Sequence, residues 1–90
     1  MAHPLFLVER YLPGADDSTL AALRARLEGS TAEMQREGRE VAWLQSVVVP
    51  GDDTCLCLFR AARRALVVEA NARAAADWER ISAVLATGEL

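Results

Sequence analysis

Four consecutive apolar residues, Leu5-Phe6-Leu7-Val8, run directly into the charged pair Glu9-Arg10 and then into Tyr11-Leu12 before Pro13-Gly14. β-favouring residues closed by a Pro-Gly turn predict a strand over residues 4–12. A strand with one wet face alternates apolar and polar side chains. This one does not alternate over residues 5–8, so both its faces need cover, as at the centre of a sheet. That condition is demanding in a chain of 90 residues, which is expected to form one domain over 1–90. A domain this short buries only about 60–65% of its unfolded surface. Hydrophobic residues nevertheless make up 52% of the chain, and surplus apolar surface is commonly covered by a partner. A homodimer is the expectation.

The remaining pattern places helices and strands around that first strand. Asp16, Asp17 and Ser18 are N-cap candidates for a helix over residues 18–37. Leu20, Leu23, Leu27 and Met34 recur at helical spacing, and Gly38 is a natural stop. A second strand is predicted from Val41 to Pro50 and a third from Thr54 to Phe59. The turn residues Pro50-Gly51-Asp52-Asp53 between them make an antiparallel hairpin. A second helix is predicted from Arg63 to Ala75, rich in alanine and without a good capping residue at its start. The last stretch is ambiguous: Trp78, Ile81 and Leu85 fit a helix face, while Ile81, Ala83 and Leu85 fit a strand face. The pattern reads β-α-β-β-α followed by one undecided element, an α+β chain.

Charge and cysteine usage narrow the function classes. The formal net charge is −3, and all ten basic residues are arginine. A Schiff-base lysine is excluded, and no basic excess points to nucleic acid. No apolar run approaches the roughly 20 residues of a membrane span, and no signal-peptide pattern opens the chain, so a soluble cytoplasmic protein is expected. Cys55 and Cys57 sit two apart, a spacing poorly suited to an intrachain disulfide, and free thiols fit a reducing compartment.

No acidic pair, Cys–His or Ser–His arrangement, or Gly-rich phosphate loop presents a catalytic constellation, and no catalytic residue or metal ligand is assigned. The candidate ligand-binding residues are Glu9, Tyr11, Trp43, Gln45 and Cys57. Glu9 and Arg10 point to opposite faces of the first strand. One meets the helix layer and the other the open side of the sheet. Glu9 shares its face with Leu5, Leu7 and Tyr11. It acts either as an acid, base or ligand group in a cavity, or as one half of an ion pair across the sheet or a dimer interface. Tyr11 offers a hydroxyl to a ligand or shields the core edge while keeping that hydroxyl wet. In a regular strand Trp43 and Gln45 share a face, lining a mixed pocket or an interface, with Ser46 on the other. Cys57 shares a face with Cys55 and Phe59, as soft-metal donors or as small buried apolar groups.

The sequence also resembles a known family. The pieces are Leu7-Val8-Glu9-Arg10, Trp43-Leu44-Gln45-Ser46 and Asp53-Thr54-Cys55-Leu56-Cys57-Leu58-Phe59, followed by Glu69-Ala70-Asn71 and Glu79-Arg80-Ile81. In this order and spacing they resemble a bacterial family of unknown function described as nickel-binding, ferredoxin-like proteins. The resemblance implies a βαββαβ, ferredoxin-like fold: a four-stranded antiparallel sheet with two helices on one face, pairing into a dimeric α+β barrel. It places a strand at about 81–86 and suggests nickel as a cofactor. The family commonly shows Trp-x-His-Ser-Tyr in the second strand, where this chain has Gln45 in place of the histidine. It also tends to show a Gly-x-Pro break before the last strand, where this chain has Ala75-Ala76-Asp77, so a longer second helix is expected. The leading function is a non-catalytic protein binding a small ligand or metal ion. The alternatives are a cofactor-independent oxygenase or isomerase using the dimer cavity, and a protein-interaction module.

Overall fold

The computed structural model describes residues 3–88. The chain runs β1 (Leu5–Tyr11), α1 (Asp17–Arg36), β2 (Val41–Val49), a 3₁₀ turn (Pro50–Asp52), β3 (Thr54–Ala61), α2 (Arg64–Arg73) and β4 (Arg80–Val84). The undecided last element is therefore a strand. The four strands form one antiparallel sheet in the order β2-β3-β1-β4, the ferredoxin-like arrangement. β1 is central, as its apolar run requires.

Both helices cover one face of the sheet, and the core lies beneath them. Phe6 and Val8 from β1, Cys55, Cys57, Phe59 and Ala61 from β3, and Ile81 from β4 meet Leu23, Leu27 and Met34 from α1 and Leu66, Val67 and Ala70 from α2. Among the described residues the opposite face has no helix. Leu5, Leu7, Leu56 and Leu58 are half-buried there, with Val47 and Val49 exposed.

The helix ends follow from local chemistry. Asp16 caps α1, its Oδ1 accepting from the Thr19 backbone N–H at 2.8 Å. Beyond Arg36 the chain closes a Schellman motif: Gly38 N–H donates to the Gln35 carbonyl and Arg39 N–H to the Met34 carbonyl, with Gly38 at φ +81°. α2 ends in the same way. Ala75 N–H donates to Ala72 and Ala76 N–H to Asn71, but the left-handed residue is Ala75, at φ +52°.

This cap corrects the expectation of a helix reaching Ala75. The chain reverses without the Gly-x-Pro break because burial of Ala74 and Ala76 against the core holds the turn. β4 correspondingly starts at Arg80 and stops at Val84, rather than spanning 81–86. Its ladder ends where β1 begins, at Leu5↔Val84, and Leu85 is fully exposed. β3 runs two residues past Phe59 because Ala61 still pairs with Val41.

One irregularity re-aims β2. Trp43 pairs with Phe59 and Gln45 pairs with Leu58, leaving Leu44 as an extra residue. A bulge of this kind shifts the side-chain alternation by one. Trp43 and Ser46 therefore face the helix layer, and Gln45 faces the open side. The expectation that Trp43 and Gln45 share a face is thereby corrected.

Candidate functional site

Glu9 and Arg10 separate as adjacent strand residues must. Arg10 points under the helices and is 3% exposed. Its Nη2 donates to Asn71 Oδ1 at 2.6 Å and its Nη1 to the Asp77 carbonyl at 2.9 Å. The Asn71 amide is held in place by its own bond to the Val67 carbonyl at 2.8 Å. Both acceptors of Arg10 are neutral, and its Nε has no partner among the described residues. Among the described residues no carboxylate lies within ion-pair distance of this buried cation.

Arg10 sits directly across from Cys55 in the β1–β3 ladder, and Val8 sits across from Cys57. The two thiols are 3.8 Å apart, free and fully buried. Ser46 Oγ lies 3.0 Å from Cys57 Sγ, and Trp43 Nε1 donates to Ser46 Oγ at 3.0 Å. A polar chain thus crosses the core from Trp43 through Ser46, Cys57 and Cys55 to Arg10 and Asn71. Within the thiol pair, the Cys57 thiolate is favoured by the hydrogen bond from Cys55 and by the charge of Arg10, against the opposing effect of burial. Cys55 is pushed the other way by that same hydrogen bond, by burial and by the charge of Cys57.

On the open face Glu9 pairs with Arg80, its cross-strand neighbour, at 2.5 Å. Glu9, Arg10, Tyr11, Asp52, Thr54, Glu79 and Arg80 line an open cleft of about 470 Å³. Tyr11 is 62% exposed at its rim. A second cleft, of about 450 Å³, lies between the start of α1 and β2. Trp43, Gln45 and Ser46 border it, and the Arg24 guanidinium lies 5.3 Å from the Trp43 ring centre.

The five candidate residues therefore do not converge. Glu9 and Tyr11 share the open-face cleft, Trp43 and Gln45 border the α1–β2 cleft with side chains on opposite faces, and Cys57 is interior. Arg10, Asn71, Ser46 and Cys55 are the other members of this interior chain, and none was among the five candidates. The available signal was phase: Arg10 alternates with Phe6 and Val8, and Asn71 follows Val67 by one helical turn.

Residues 6–84 match the profile of the family described as "Nickel responsive protein SCO4226-like". The chain belongs to this family. The crystal structure of SCO4226 from Streptomyces coelicolor A3(2) superposes with a TM-score of 0.75 at 18% identity, covering 93% of this chain and 99% of that one. At that identity the likeness shows the shared fold. No curated protein matches the chain.

The family description names a response to nickel. Nickel and its neighbours favour imidazole nitrogen or thiolate sulfur. The single histidine, His3, pairs with Glu40 at 2.5 Å, and Gln45 on β2 offers a neutral amide rather than an imidazole. Among the described residues no three His, Cys, Asp or Glu side chains cluster. One chain's described residues do not fit a nickel centre.

Proposed function

We propose that this family member is a non-catalytic ligand-binding protein that dimerises through the helix-free face of its sheet and holds a small ligand between the paired sheets. The observation that carries this reading is the character of that face. Two helices cover one side of the sheet, while Leu5, Leu7, Leu56, Leu58, Val47 and Val49 lie on the other with no second layer among the described residues. A second copy supplies that layer and buries the apolar surface. At one end of the face the Glu9–Arg80 pair and Tyr11 offer a charged and hydroxylated anchor, and Arg60 Nε, also on this side, has no partner among the described residues. Such a mixture of apolar wall and few polar groups suits a small ligand with one polar end. A bacterial cytoplasm fits the two free thiols.

The test is native mass spectrometry on untagged protein purified without chelator. A dimer with a reproducible extra mass is expected, and that mass identifies the ligand as organic or metallic. A bare dimer that takes up neither nickel nor zinc when offered would end the metal version. A bare monomer would end the paired-sheet reading.

A further inference from the structure

The buried thiol pair lies on the helix side of the sheet, opposite the face proposed for ligand binding, and stands or falls separately from that reading. Two features mark it as more than core filling. First, its neighbour Arg10 is a buried cation whose partners are both neutral and whose Nε is unpartnered, a costly arrangement unless negative charge is placed beside it. Secondly, two sulfur donors already lie together, Cys55 Sγ and Cys57 Sγ at 3.8 Å, with Ser46 Oγ 3.0 Å from Cys57 Sγ.

The spacing suits a bridging ion better than a disulfide. Residues two apart on a strand are separated by about 6.6 Å along it, whereas a disulfide needs Cβ atoms about 3.5–4.5 Å apart. A thiolate–metal bond of about 2.3 Å spans the 3.8 Å sulfur separation with an S–metal–S angle of about 110°. Charge selects the ion. Two thiolates and one guanidinium sum to −1, so a monovalent cation makes the buried cluster neutral, whereas a divalent one leaves a net positive charge in the core. Thiolate sulfur is also the donor that soft monovalent copper prefers.

We infer that Cys55 and Cys57, with Ser46 as a third donor and Arg10 as a fixed counter-charge, form a binding site for one soft monovalent metal ion of the Cu(I) class. Binding forms two metal–sulfur bonds. Each thiol that is still protonated releases its proton to solvent, and no electron is transferred. The route in is from the α1–β2 cleft, where Ser46 lies on the lining and Cys57 sits directly behind it.

Anaerobic titration of the reduced full chain with Cu(I), against a chromophoric Cu(I) chelator, tests this. One ion per chain is expected on protein that keeps its circular dichroism, with native mass spectrometry showing one copper mass less the displaced protons. Cys55→Ala and Cys57→Ala are each expected to weaken binding at least tenfold, and His3→Ala to leave it unchanged. As a readout that needs no variant, at a urea concentration where the metal-free thiols become reactive, Cu(I) is expected to protect both wild-type thiols from alkylation, and Ni(II) at the same concentration to leave them unprotected. Full binding by the double cysteine variant, absence of thiol protection by Cu(I), or equal protection by Ni(II) would overturn the assignment.

Discussion

Arg10 shows how much one side chain can demand of its surroundings. It is almost fully buried, and the Asn71 amide and the Asp77 carbonyl carry its bonding. A hydrogen bond to a buried charge contributes about 1.5–3 kcal/mol, and losing one partner leaves the other stranded. Asn71→Ala is therefore expected to lower unfolding stability by about 2–3 kcal/mol in urea titrations. Adding Arg10→Met to it should restore much of that loss, because apolar replacement of a buried polar pair is often neutral. If Asn71→Ala is as stable as the parent, Arg10 is not held in the way described. The sequence displays Arg10 plainly, and its phase with Phe6 and Val8 points it inward. Asn71, sixty-one residues later, comes into contact only through the crossover of α2.

At the scale of elements, the two helix ends form a natural comparison. Both close by the same pair of backbone bonds, one with Gly38 and the other with Ala75 in the left-handed region. A Cβ in that region costs about 1–2 kcal/mol. Ala75→Gly is therefore expected to stabilise the protein by about 1 kcal/mol, raising the melting temperature by about 4–8 °C in a domain of this size. Gly38→Ala should lower it by a similar amount, since a Cβ there meets no clash and the cost is conformational alone. A lowered melting temperature for Ala75→Gly would contradict the cap geometry.

The helices are also tied to each other by charge. Arg73 on α2 reaches Glu33 on α1, Glu37 just past its end and Glu69 on its own helix, and Arg39 bonds Glu69 as well. Hydrogen bonds from Arg73 hold the Glu37 carboxyl below its ordinary value of 4.5, and Arg39, with Arg73 behind it, does the same for Glu69. A carboxylate with a depressed folded value stabilises the fold above its unfolded value and loses that contribution as pH falls through the folded one. Stability should therefore be level above about pH 5 and decline below pH 4.5, less steeply in Arg73→Ala or at high salt. Denaturant midpoints measured from pH 7 to pH 3 would reveal this; identical profiles for parent and Arg73→Ala would exclude the network.

For the whole molecule, the question is what covers the second face of the sheet. Val47 is 47% exposed on that face. Val47→Asp is expected to shift the paired form proposed above to monomers in sedimentation velocity while leaving circular dichroism unchanged; an undisturbed dimer would move the interface elsewhere. The order of strands and helices was legible in the sequence because apolar runs, turn residues and caps are local signals. So was the central place of β1, whose unbroken apolar run admits no wet face. The side assigned to Gln45 was not legible: one extra residue at Leu44 shifts alternation by one, and composition carries no mark of it. The end of α2 at Arg73 was also hidden, because packing of Ala74 and Ala76 forces a left-handed alanine that local preference disfavours. The sequence by itself thus determined the periodicities, and through them the elements and the need for a covered sheet. Only tertiary structure decided which of its polar groups meet, because Trp43, Ser46, Cys55, Cys57, Arg10 and Asn71 come from four elements and contact one another only once the sheet registers and the helices are packed.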